Sequence, residues 1–325
     1  MKVFETQFDE MQLDSISNVI KKGQLGFGPN VLRFEQIYAK FSSKQFNVAT
    51  NSASAAAFMI FAYLKEEYGE CDVYTTSLGF TSPAWAAKHF GHNLIWVDVN
   101  DNLLFDCNDY KNKRQTRSER YSDKNIKPIV MPVLYGGVST IDNWSMIGDE
   151  IVVVDSAHCA TPTIESDFVF FSFHPYKPIC SSDGGMISTD NESASKYFET
   201  YRNFGRFNYE DTYDINHEGF KFYMNNLNAT IAIQSAYSYA SSLEERKANY
   251  KIVKQNYNAL EHDKFSSYYF ATVLFDNGDE VNNKYELARH YPMLHKTTYF
   301  YDETSLPNLE KLYNKIVNLP LWKLL

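Results

Sequence analysis

Up to about Asn225, compact apolar runs alternate with amphipathic stretches. Residues 46–49, 72–75, 94–97, 129–133, 151–154 and 168–171 form short strand-like runs. Runs 129–133 and 151–154 (IVMPV and IVVV) are apolar and mostly β-branched, as expected of parallel strands covered on both faces. Pro132 has no N–H to give to a sheet ladder, so its strand is expected to end there. Residues 31–41 (VLRFEQIYAKF) place apolar side chains at helical spacing. Residues 52–64 read as a helix entered through small residues, and 83–90 as another. Gly184-Gly185, after Asp183, predicts a tight turn into a strand at 186–188. This β-α-β alternation predicts a doubly wound α/β domain built on a mostly parallel sheet.

Beyond Asn225 the pattern changes. Residues 226–260 read as one long helix or a kinked pair, with a solvated charged stretch at 244–247. A strand at 268–274 and a helix at 309–316 follow. The expectation is a large domain over 1–230 and a smaller C-terminal α+β domain over 231–325, with no repeat or low-complexity linker between them.

Composition narrows the function classes. A net charge of −9 argues against nucleic-acid binding, which needs clustered Lys and Arg. The four cysteines, Cys71, Cys107, Cys159 and Cys180, form no C-x-x-C pair, so zinc-ribbon and thioredoxin readings lack support. The N-terminal MKVFETQFDEMQLDSI carries acids and no apolar core, unlike a signal peptide. No stretch is long and apolar enough for a membrane span. The expectation is a cytoplasmic protein with free thiols.

Two residues carry the chemistry. The run 151–154 ends in Asp155, and open α/β sheets bind ligands at the carboxyl ends of their strands. An acid there can pair with a protonated pyridine nitrogen and turn that ring into an electron sink. The run 168–171 leads through Ser172 to His174-Pro175-Tyr176-Lys177. A lysine so placed reaches the same sheet edge, where desolvation lowers its pKa and favours Schiff-base formation. Taken singly, each residue has a plainer reading, Asp155 as a helix-capping or loop aspartate and Lys177 as a surface lysine.

Together the segments resemble the DegT/DnrJ-type sugar aminotransferases, fold type I pyridoxal-phosphate (PLP) enzymes that act on nucleotide-linked sugars. That family's E-D-A-A-Q, S-F-H-P-T-K and G-E-G-G-M elements correspond here to V-D-S-A-H (154–158), S-F-H-P-Y-K (172–177) and S-D-G-G-M (182–186). Gly28-Pro29 with Phe34-Glu35 resembles its early G-P-x-V-x-x-F-E element. N-S-A-S-A-A (51–56) resembles its N-S-G-T-A-A phosphate loop, and G-F-T-S (79–82) its T-F-x-A segment. P-V-L-Y-G (132–136), H-Y-P-M-L-H (290–295) and Leu319-Pro320 follow in the family's order.

The resemblance implies roles position by position. Lys177 is then the Schiff-base lysine and Asp155 the partner of the pyridine nitrogen. His158 stands where the family has Gln near the phenolic oxygen. Ser172, Ala53 and Ser54 hold the phosphate, and Phe80 stacks on the ring. Lys221 takes the place of an Asn that reaches the neighbouring subunit's cofactor, which implies a homodimer. Tyr291 and His295 face the substrate. No metal is expected, since His290 and His295 have no matching acid cluster.

Departures from the family are Ala53-Ser54 for Gly-Thr, Asp183 for Glu, Lys221 for Asn and Tyr223 for Arg. The chain also stops soon after Leu319-Pro320, where the family carries a further helical segment. The implied reaction moves an amino group from glutamate to a nucleotide-linked keto-sugar. A PLP-dependent sugar dehydratase is the alternative within the family, although that branch replaces the lysine by His. A PLP- or sugar-nucleotide-binding sensor without catalysis is the alternative outside enzymes.

Overall fold

The computed structural model describes residues 10–120, 126–206, 214–285 and 290–322. The first nine residues, part of the segment read against a signal peptide, lie outside them.

Two helices open the described chain, α1 (Glu10–Lys22) and α2 (Pro29–Ser42). Pro29 occupies the first turn of α2, where its missing N–H costs nothing, and Ser43 closes that helix in the left-handed region at φ 55°. Then come β1 (Phe46–Thr50), α3 (Ala53–Tyr68), β2 (Cys71–Thr76), α4 (Thr81–His89), β3 (Asn93–Val97), α5 (Cys107–Arg120), β4 (Lys127–Met131), β5 (Ile151–Asp155), β6 (Phe168–Ser172), β7 (Gly185–Thr189) and α6 (Glu192–Tyr201). The seven strands form one sheet in the order β1-β7-β6-β5-β4-β2-β3. Its neighbours are parallel from β6 through β5, β4 and β2 to β3, whereas β7 runs antiparallel to both β6 and β1. The expected doubly wound, mostly parallel sheet is present. β4 stops at Met131, directly before Pro132.

The C-terminal part begins with α7 (Asn226–Asn256), one continuous helix where the sequence left one helix or two open. The stretch 244–247, expected to be solvated, is mixed. Lys247 pairs with Glu244 at the surface, but Arg246 is buried against the Tyr239 ring. The chain continues through β8 (Phe270–Leu274), α8 (Gly278–Tyr285), α9 (Pro307–Tyr313) and β9 (Ile316–Pro320). β8 and β9 form an antiparallel pair. The helix expected over 309–316 is therefore shorter, because Ile316 already belongs to a strand.

The division expected between residues 230 and 231 falls near the start of α7. α7 packs on α1 and α2, and one core joins Val31 and Phe34 of α2, Ile233 of α7, Phe270 of β8 and Leu309 of α9. None of the described helices is long and apolar enough to cross a membrane.

Candidate active site

The carboxyl ends of β5 and β6 lie side by side, with Asp155 opposite Phe170 in register. Asp155 closes β5. Its N–H donates to the Pro132 carbonyl (3.0 Å), and its carboxylate accepts from the Ala157 N–H (3.0 Å). Burial pushes its pKa up to about 6, while that N–H and the nearby charge of Lys177 pull the other way.

Lys177 follows β6 in a turn closed by its own N–H on the His174 carbonyl (2.9 Å). Burial lowers its pKa to about 8, opposed by Asp155. Its Nζ sits 4.6 Å from the centre of the Tyr269 ring.

His158 is buried beside this pair. Its Nε2 meets the Tyr291 hydroxyl at 2.7 Å, while its Nδ1 is shut off from solvent and has no partner among the described residues. Burial, then the charges of Lys177 and His290, push its pKa well below the ordinary histidine range. Phe80, 57% exposed, caps α4 and stands edge-on to Tyr291 at 6.2 Å.

The second half of the site is the start of α3. Ser52 is the N-cap, and its hydroxyl accepts from the Ala55 N–H at 3.1 Å. Ala53 and Ser54 begin the helix, with Ser54 exposed. In the sheet, Gly185 of β7 lies between Thr50 of β1 and Ser172 of β6. A side chain at Gly185 would collide with the Ser52–Ala53 backbone, 2.6 Å from the Ala53 nitrogen. Glycine there lets α3 seat directly on the sheet edge that ends in Ser172. The free N–H groups of the helix start and the Ser172 hydroxyl thereby share one corner, a setting that suits an anion.

Lys221 is exposed. Its carbonyl accepts from the Asn51 side chain (3.1 Å), and the Asn51 N–H donates to the Phe222 carbonyl (2.6 Å). The segment carrying Lys221 thus lies against the residue that precedes Ser52 in the same chain. His295 is buried, with Nδ1 on the Ser77 hydroxyl (2.7 Å) and Nε2 on Glu310 (3.4 Å).

The structure thus gathers Lys177, Asp155, His158 and Tyr291 at one strand edge. It holds both ring nitrogens of His295 on protein partners. Sequence reasoning missed Tyr269, whose ring stands 4.5 Å from His158 and also under Lys177. Its position just before β8, in a run already read as strand, was the only signal available.

The chain is 29% identical to the spore coat polysaccharide biosynthesis protein SpsC of Bacillus subtilis, over 56% of this chain and 47% of that protein. It is 27% identical to the UDP-4-amino-4,6-dideoxy-N-acetyl-beta-L-altrosamine transaminase of Campylobacter jejuni, over 61% of this chain and 53% of that one. Each match spans about half the relative's length. The fold matches the PLP-form of the putative sugar aminotransferase Spr1654 from Streptococcus pneumoniae with a TM-score of 0.84 at 20% identity, covering 99% of this chain and 93% of that one. With its sequence pattern matched over residues 6–325, the chain belongs to the DegT/DnrJ/EryC1/StrS aminotransferase family.

Proposed function

We propose that this chain is a PLP-dependent aminotransferase that moves an amino group from glutamate to a keto-sugar linked to a nucleotide. One observation carries the reading: Lys177, its pKa lowered to about 8, lies beside buried Asp155 at the carboxyl edge of the sheet. The transaminase of Campylobacter jejuni, named for a UDP-linked amino sugar, supports the substrate class.

The residues fit the cofactor. A protonated ring nitrogen is the partner that keeps a buried carboxylate such as Asp155 ionised. The orphan nitrogen of His158 is a polar atom waiting for a ligand. The corner formed by Ala53, Ser54 and Ser172 suits a phosphate. Phe80 is exposed at the same edge as a face for the ring, and Lys221 of a second copy would complete the phosphate site in a two-fold homodimer.

When bound, PLP supplies an electron sink and carries the amino group between the two substrates. Lys177 would hold the cofactor through Nζ and would hold and return a proton at that atom. Its lowered pKa keeps a useful fraction of free base near neutral pH. Asp155 keeps the ring nitrogen protonated, and Tyr269 shields Nζ from water on one side.

The test is spectroscopic. Glutamate added to the PLP-loaded protein should abolish the absorbance of lysine-bound PLP and yield one equivalent of 2-oxoglutarate. A nucleotide-linked keto-sugar should then restore the absorbance and leave an amino sugar. Lys177→Ala should lose both steps. PLP that stays bound while glutamate and other amino donors leave the spectrum unchanged would remove this reading.

A further inference from the structure

His158 and Tyr291 are 133 residues apart in sequence and meet at 2.7 Å. Their rings lie nearly parallel, 18° apart with centroids 5.7 Å from each other. The Tyr313 hydroxyl donates to the Tyr291 carbonyl at 3.0 Å and holds that backbone in place. Burial, together with nearby Tyr269, Tyr135 and Asp155, keeps the Tyr291 hydroxyl protonated well above its ordinary range.

Among the described residues, that hydroxyl bonds only to His158 Nε2. A phenol O–H is a stronger donor than a neutral imidazole N–H, and an imidazole nitrogen is a stronger acceptor than a phenol oxygen, so the hydroxyl donates to Nε2. Nε2 must then be bare. The ring is neutral, since burial and neighbouring charges hold its pKa well below the usual value. A neutral imidazole with a bare Nε2 carries its hydrogen on Nδ1. That nitrogen is buried and unpartnered.

We propose that Tyr291 is a positioning residue that fixes His158 as the Nδ1–H tautomer and so reserves one donor for an oxygen of the ligand bound at Lys177. The inference rests on Lys177 being the residue that bonds PLP, whose phenolic oxygen is an acceptor of suitable chemistry. The glutamine usual in the family carries a donor in its amide whatever surrounds it. An imidazole must be told which nitrogen bears the hydrogen, and Tyr291 does this.

Two measurements test it. In the full-length protein without PLP, labelled with nitrogen-15 histidine and assigned by subtracting the His158→Gln spectrum, the His158 signals should show a protonated Nδ1 and a bare Nε2. In Tyr291→Phe the hydrogen should shift largely to Nε2. A wild-type ring protonated at Nε2 overturns the proposal.

The second measurement is PLP affinity. Tyr291→Phe should weaken binding about tenfold in the wild-type background, the scale of one hydrogen bond, and leave it unchanged in His158→Gln, where no tautomer remains to be set. Equal losses in both backgrounds mean a merely structural tyrosine and overturn the proposal. Failure to bind PLP at all would instead remove the proposed function, while the tautomer still decides this inference.

Discussion

Burial disfavours the charged forms of both Lys177 and Asp155 where the fold puts them. Burial raises the Asp155 pKa from 3.8 to about 6. The folded chain therefore binds a proton more tightly there than the unfolded chain does. This contribution to stability is full below pH 3.8 and is lost as the pH rises through about 6. Asp155→Asn removes a group that titrates. In urea titrations without PLP, the variant should gain on the wild type as the pH rises from 4 to 7, by at most about 3 kcal/mol. A difference that does not change with pH contradicts this. Asp155 is legible in the sequence because it directly ends an apolar run that marks its strand, and Lys177 because the S-F-H-P-Y-K element carries it from the end of the next run. Tyr269 is not, because what makes it part of the site is contact with His158 and Lys177, and nothing near Tyr269 in sequence encodes that contact.

The elements that were readable are those buried on two sides. α3 is buried almost all round from Ala55 to Leu64, and the sheet strands show the same burial. α5 is the opposite case. Its sequence CNDYKNKRQTRSER has almost no apolar stripe. It is held by buried Tyr110 and by ion pairs from Arg114 to Glu150 and from Arg117 to Asp72, which no periodicity reveals. The helix expected over 309–316 runs one residue into β9, whose strand character depends on β8 as a partner. Gly185 shows what one residue contributes to an element's place. Gly185→Ala puts a carbon into the Ser52–Ala53 backbone and should cost about 3 kcal/mol in urea unfolding. It should also weaken phosphate binding in this corner. Gly26→Ala meets nothing within 4 Å and should change stability by less than about 0.5 kcal/mol. Equal effects at the two glycines would show that the close approach of α3 to β7 is not tight.

At the scale of the whole chain, the change of pattern near Asn225 coincides with the start of a helix that shares a core with both parts. α7 begins there, and Ala229, Ala232, Ile233, Ala236 and Tyr239 on it are buried in the core that also holds Val31, Phe34 and Tyr38 of α2. The same core reaches Tyr269, Phe270 and Leu309. Asp98, just past β3, accepts the Asn308 and Leu309 N–H groups at the start of α9, both at 2.9 Å. The site itself draws Asp155, His158 and Lys177 from the large sheet and Tyr269 and Tyr291 from the C-terminal part. A chain ending at residue 230 would keep five residues of α7 and expose the α2 face that the rest of the helix covers. Apolar burial lost on that scale exceeds the few kcal/mol by which a domain is stable. The fragments 1–230 and 231–325, made separately, should therefore each lack cooperative unfolding by circular dichroism. The whole chain should unfold in one transition, with coincident signals from backbone and aromatic probes. A fragment 1–230 that melts cooperatively and binds PLP as tightly as the whole chain would show instead that the C-terminal part is an appendage and that Tyr269 and Tyr291 are dispensable to the site.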